Sequence, residues 1–294
     1  DGLSTGNSVV PNPGSYLSTM LYPTSNTIYA IESPTTLNGT SATAAVVTGY
    51  MGIILEMWRN KIFTPTTQRS TDAFLARPKT ATMRALLINL ADSFDLENDS
   101  NRTTHAEIPR ARQGWGMPEV SSINTKAEFF IVDEKDILKE ATPRKKYLVC
   151  SNGKSELRIT MAYTDVPGTI AYNTTSPIRI NDLDLEVTDP RKIRYLGNSG
   201  LDVSRYSRPA VVGEVADSRN SIENIFIRTP VAGKYEISVS IKAGHLAADG
   251  IPETPANLPW DASFGLVVSG TVSCNKVPRT DDTRINIFQR VVEK

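Results

Sequence analysis

Leu37 to Gly49 reads LNGTSATAAVVTG, a run in which a glycine-built turn delivers a serine directly into an apolar helix. Gly39 permits the turn and a close approach of another backbone, because a residue without Cβ tolerates conformations closed to others. Thr40 and Ser41 then stand where the first N–H groups of a helix lack partners within it, a place that favours developing negative charge. A serine hydroxyl is a poor nucleophile at neutral pH. It needs a neighbouring base, exposure at a turn, and donors for the oxyanion that its attack creates. Local sequence gives Ser41 the last two. The competing reading is an N-cap, since Ser and Thr occupy helix starts for stability alone.

Outward from this point, Ala42 to Lys61 carries apolar residues on nearly every face until Glu56, as expected of a helix packed inside a domain with only its end wet. Its most apolar part, Ala42 to Leu55, is interrupted by Thr43, Thr48, Gly49 and Gly52. It falls short of the ~20 apolar residues that cross a bilayer, so no membrane span is expected. Lys79 to Ser93 reads as a second helix, with Met83, Leu86, Leu87 and Leu90 at near-helical spacing. Asp, Asn, Arg and Thr dominate residues 95 to 113, which predicts a long exposed loop before GWGMPEV returns the chain to the core.

After about Thr125 the texture changes to short strands. AEFFIVD, KYLVCS, ELRITMAYT, DLDLEVT, NIFIRT, KYEISVSIKA and FGLVVSGTVS alternate apolar and polar residues between clusters of Gly, Pro, Asn and Asp. That pattern predicts seven or more antiparallel strands in a β-sandwich or jelly roll. The expected organisation is an α/β part over residues 1–123 followed by an all-β part over 124–294, and 294 residues suit two domains.

Apolar residues at 39% and charged residues at 22% are those of a soluble globular protein. Lys plus Arg and Asp plus Glu both number 32, so no net field draws nucleic acid or an anionic membrane, and neither partner is expected. The opening DGLSTGNSVVPNPG has neither a basic start nor an apolar stretch, which predicts a chain already processed or truncated. Cys150 and Cys274 are too few for a disulfide framework or a Cys-rich zinc site. Both lie beside strand-like runs, where pairing across a sandwich and burial as free thiols are both open. Sequons at Asn38, Asn98, Asn101 and Asn173 permit glycosylation in a secretory compartment.

NGTSATAAVVTG resembles the nucleophile motif of the subtilisin family, GTSMATPHVAG, at Gly39, Thr40, Ser41, Val47 and Gly49. Ala42, Thr43, Ala45 and Val46 depart from it at packing positions near the helix start. The flanks add to the resemblance. VVPNPGSYLSTM at 9–20 looks like the family's VVAPG strand and turn, and ALLINLADSF at 85–94 is similar to a later family helix. QGWGMPEV at 113–120 resembles the segment closing the catalytic domain of bacterial alkaline proteases that carry a C-terminal β-barrel. ITMAYTDVPG, NDLDLEVTDP, SIENIFIRTPVAGKYEISVSI and FGLVVSG resemble that subfamily's jelly roll in the same order.

The resemblance implies the C-terminal part of a subtilisin-like parallel-sheet domain followed by an antiparallel jelly roll. It implies a serine endopeptidase acting on polypeptide substrates through an acyl-enzyme on Ser41, in a secreted or lumenal setting. The family order is Asp, His, Ser, yet His105 and His245 both follow Ser41 and neither matches the family's His motif. His105 sits in a polar stretch and reads as a solvated surface residue. The triad Asp and His and the oxyanion Asn are therefore expected on an absent upstream segment of the same precursor, and this chain alone is expected to be inactive. The alternative is a non-catalytic descendant whose β-sandwich binds protein or carbohydrate.

In NDLDLEVTD, Asp182, Asp184 and Glu186 alternate with Leu183, Leu185 and Val187, so a strand would put acids on one face. A solvated outer face is one reading. Structural calcium is the other: Asp165, Asp182, Asp184 and Glu223 would supply its hard oxygen ligands if their segments adjoin as in the resembling jelly roll. The chemistry itself requires no cofactor.

Overall fold

The alternation in LDLEVT is realised along the strand, where Leu183, Leu185 and Val187 are fully buried and Asp184, Glu186 and Thr188 are half-buried on the opposite face, whereas Asp182 just before it is buried. A computed structural model describes residues 40–63, 77–93, 95–96, 106–107, 110, 114–124, 128–139, 141–165, 181–241 and 261–276. Two helices come first, α1 at Thr40–Arg59 and α2 at Thr80–Asn89. Four two-residue strands follow: β1 (Ala91–Asp92), β2 (Asp95–Leu96), β3 (Ala106–Glu107) and β4 (Met117–Pro118). The longer strands are β5 (Glu128–Lys139), β6 (Arg144–Ser151), β7 (Leu157–Ala162), β8 (Leu183–Thr188), β10 (Ile222–Ile227), β11 (Gly233–Ile241) and β12 (Asp261–Thr271), with β9 short at Arg194–Leu196.

Two four-stranded sheets, ordered β10-β7-β12-β5 and β6-β11-β8-β9, are antiparallel throughout. Their facing side chains form one cluster. Ile159 and Met161 of β7, with Leu266 and Val268 of β12, meet Leu185 and Val187 of β8 and Ile237 and Val239 of β11. This is a β-sandwich, and each of the seven strand-like runs read from sequence supplies one of its strands. β9 lies in a stretch too short for alternation to reveal it. The disulfide Cys150–Cys274 joins β6 of one sheet to the turn after β12 of the other, beside the Val272 N–H that donates to the Cys150 carbonyl at 2.8 Å.

The outer face of the first sheet carries a second cluster, in which Phe129, Ile131 and Val267 pack against Met83 and Leu86 of α2 and Ile54 and Trp58 of α1. Gly265 makes this contact possible: a Cβ there would stand 2.5 Å from the Thr82 nitrogen, so only glycine lets the helix backbone come so close. The start of α2 is capped from β5. Asp133 accepts the Lys79 N–H at 2.7 Å and Glu134, at positive φ, accepts the Ala81 N–H at 2.6 Å. At the other end Asn89, fully buried, donates to the Arg158 and Val267 carbonyls and to Thr160 Oγ1. The cluster thus continues across the boundary expected near residues 123 and 124.

Several expectations change. The segment expected to run helically from Lys79 to Ser93 stops at Asn89 and turns into β1, which pairs with β4 of the GWGMPEV stretch. Within the loop expected over 95–113, β2 pairs with β3. Every described ladder is antiparallel. The parallel sheet expected of residues 1–123 is not among the described residues.

The largest correction concerns α1. It was expected to be buried with only its end wet, and the reverse holds: Ile54 and Trp58 near its end are its buried residues, while Ile53 and Leu55 are 48% and 40% exposed. Only the stripe leading to Trp58 meets the sheet-bound cluster, so nothing described covers the other faces. By length and composition alone, α1 is long and apolar enough to cross a membrane.

Candidate functional site

Ser41 is the second residue of α1 and is exposed. Helical spacing fixes its direction. Ala45, Thr48 and Gly52, at four, seven and eleven residues beyond it, are exposed on the same face, whereas Met51, Ile54 and Trp58 follow another face into the core. The hydroxyl therefore stands on the side of the helix away from the described core. Along that face the side chains are small, and a Cβ added at Gly49 or Gly52 would meet nothing within 4 Å. The helix has no acidic residue in its first turn, so its N–H groups there are not offset by a local carboxylate.

Thr40 opens the helix and is exposed like Ser41, whereas Gly39 lies outside the described residues. His105, His245, the 9–20 motif and the sequons at Asn38, Asn98, Asn101 and Asn173 lie outside them too, as does most of the tail after Asn275. A base for Ser41 is not found among the described residues, none of which is a histidine.

Two of the four carboxylates named for calcium accept backbone N–H groups. Asp165 Oδ1 accepts the Asn181 N–H at 2.9 Å, Asp182 is buried just before β8, and Asp184 faces Ser240 across the β8–β11 ladder. Glu223, fully buried on β10, reaches across to the second sheet and accepts the Leu185 N–H at 2.7 Å. Gly197 leaves it room, for a Cβ there would lie 2.0 Å from Glu223 Oε2. Among the described residues no three His, Cys, Asp or Glu side chains are grouped so as to hold a metal ion. Glu186 takes a bidentate contact from Arg194 at 3.0 and 2.7 Å on the outer face of its sheet.

The β-domain carries a polar scaffold that the sequence reading missed. Asn198, at a φ of 61°, accepts the Asn224 N–H and donates to Asp217 Oδ2 and the Ile222 carbonyl. Burial alone would raise the Asp217 carboxyl, but hydrogen bonds from Asn198 and Asn220 and from the Arg219 and Asn220 backbone outweigh it and hold it low. Glu214 is held at about 2, chiefly by the paired Arg208 N–H groups and then by the Ser199 hydroxyl. The signal was the turn sequence LGNSG, in which Asn tolerates the left-handed conformation, but the partners of Asn198 lie 19 to 26 residues away.

A cavity of about 370 Å³ opens elsewhere, between β1 and the sandwich, and includes neither Ser41 nor the four carboxylates. Comparison of the chain with models of known protein families finds no match, and no curated protein matches it.

Proposed function

We propose that the chain is the C-terminal part of a subtilisin-like serine endopeptidase, in which Ser41 forms the acyl-enzyme and an upstream segment brings the triad Asp and His and the oxyanion Asn. The observation that carries this reading is the placement of Ser41 on the exposed first turn of α1, facing away from the core over the small side chains of Ala45, Thr48 and Gly52. A helix this apolar is stable in water only when its faces are covered, so α1 is suited to a larger domain than the described residues supply. The upstream segment would lie along that face.

In this reading the Ser41 hydroxyl attacks the scissile carbonyl while the incoming imidazole takes its proton. The Ser41 N–H helps hold the oxyanion, the imidazole returns the proton to the leaving amine, and water then frees the acyl group. The sandwich is read as the subfamily's jelly roll, stiffened by the Cys150–Cys274 disulfide. A disulfide also supports an oxidising, secreted or lumenal setting.

A non-catalytic binding module is the second reading, and one observation favours it. Val203, Val211, Val212 and Val215 are 61% exposed or more, on the loop that Arg208 and Glu214 brace. Hydrolysis of a denatured protein substrate separates the two. The precursor containing the upstream segment should cleave it, this chain alone should not, and Ser41→Ala in the precursor should abolish cleavage. Unchanged cleavage by the Ser41→Ala precursor would remove the peptidase assignment from Ser41.

A further inference from the structure

The cavity of about 370 Å³ is built from segments far apart in sequence: Asp92 and Ser93 after α2, Arg110, Gly114 and Trp115, Glu156 and Arg158 at the start of β7, Arg205 and its neighbours, and Phe226 of β10. Its walls hold three guanidiniums, from Arg110, Arg158 and Arg205, and two carboxylates, from Asp92 and Glu156. Each guanidinium is held in place. Arg158, only 9% exposed, donates to the Ala91 carbonyl at 2.7 Å and lies 4.0 Å over the Phe226 ring. Arg205 donates to the Ser93 carbonyl at 2.9 Å. Arg110 stacks 4.1 Å over Trp115, whose ring meets Phe226 edge-on. Next to Trp115, Gly116 packs on the backbone of the lining residue Asp92 so closely that a Cβ there would clash with the Asp92 carbonyl oxygen.

The charges are not evenly matched. Glu156 and Asp92 both lie near Arg158, at 3.3 and 3.8 Å. Among the described residues Arg110 has a long ion-pair contact of 3.8 Å to Asp202, whose side chain is 87% exposed and well screened. The Arg158 Nε is buried and makes no hydrogen bond. Arg110, backed by Trp115, and Arg205, together with the carboxylates of Asp92 and Glu156, make a mixed lining. A dense phosphate would meet the guanidiniums but be repelled by Asp92 and Glu156. A peptide carries both complements, with side-chain carboxylates to accept from Arg and amide N–H groups to donate to Asp and Glu.

We propose that this cleft binds an acidic peptide segment, setting its carboxylate against Arg110 and Arg205 and its backbone N–H groups toward Asp92 and Glu156. The size is that of a ligand pocket rather than a surface dimple. Because none of its residues belongs to the Ser41 face, the proposal stands or falls apart from the peptidase reading.

Calorimetric titration of the whole chain tests it, using an acetylated and amidated Gly-Glu-Glu-Gly peptide, its Gly-Gln-Gln-Gly counterpart and inorganic phosphate. The Glu peptide should bind and should weaken as salt rises from about 0.05 to about 0.3 M. Arg110→Gln and Arg205→Gln should each weaken it at least about tenfold, the loss of one charge-assisted contact, while the exposed Arg219→Ala leaves it unchanged. Thermal melting of each variant identifies any that fails to fold, and the other then decides. Absence of Glu-peptide binding, equal binding of the Gln peptide, indifference to both substitutions in folded protein, or phosphate binding as tightly as the Glu peptide would each overturn the proposal.

Discussion

Glu214 shows how one side chain sets the shape of a loop and how acid should undo it. Its carboxylate accepts from both Arg208 Nη atoms at 2.8 Å, from the Ser199 hydroxyl and from the Val211 N–H, and these partners hold it at about 2 against an ordinary 4.5. A group whose folded value is depressed stabilises the fold fully above its unfolded value and loses that contribution as pH falls through the folded one. Glu214→Gln should therefore lower the melting temperature at neutral pH, and the gap to the natural protein should narrow between about pH 4.5 and about pH 2. Melting curves of the two proteins across that range check it, and a gap that widens on acidification would contradict it. Such roles are poorly legible in sequence. Glu223 could be named for its acidity, but its work on the Leu185 N–H depends on a strand of the opposite sheet and on the space left by Gly197.

The elements were more legible than their surroundings. Periodicity located both helices, and Met83, Leu86 and Leu90 are buried as their spacing implied. It did not tell how α1 would be covered, because an all-round apolar helix records a need for burial and not the polypeptide that meets it. The Asp133 and Glu134 contacts at the start of α2 were hidden for a similar reason, being supplied by a strand more than 50 residues away. Within α1 the two faces should respond differently. Trp58→Ala removes a fully buried ring that meets Phe63 at 6.0 Å and should cost about 3–5 kcal/mol in urea denaturation. Ile53→Asn, on the exposed side, should change stability by less than about 0.5 kcal/mol.

At the scale of the molecule, two antiparallel sheets enclose one core and two helices lie on the outer face of the first sheet. The sandwich was read from seven alternating strand runs, since a two-residue period is a strong signal wherever one face is buried, whereas the packing of the helices on its first sheet was not. The disulfide was one of two open readings, because the distance between Cys150 and Cys274 is a property of the folded sheets and not of their spacing by 124 residues. It closes a long loop, so Cys150→Ser combined with Cys274→Ser should cost about 2–5 kcal/mol and lower the denaturation midpoint. Denaturation in reducing and oxidising buffer should reproduce the difference in the natural chain and leave the double variant unmoved.

The proposed function rests on Ser41 becoming nucleophilic once an imidazole is brought to the open side of α1. Mass-spectrometric mapping after treatment with a fluorophosphonate tests this most directly. In the precursor with its upstream segment, the adduct should fall on Ser41 and disappear on prior denaturation or in Ser41→Ala, while this chain alone stays unmodified. An intact, folded precursor that leaves Ser41 unlabelled, or that carries the adduct on another residue, would contradict the account.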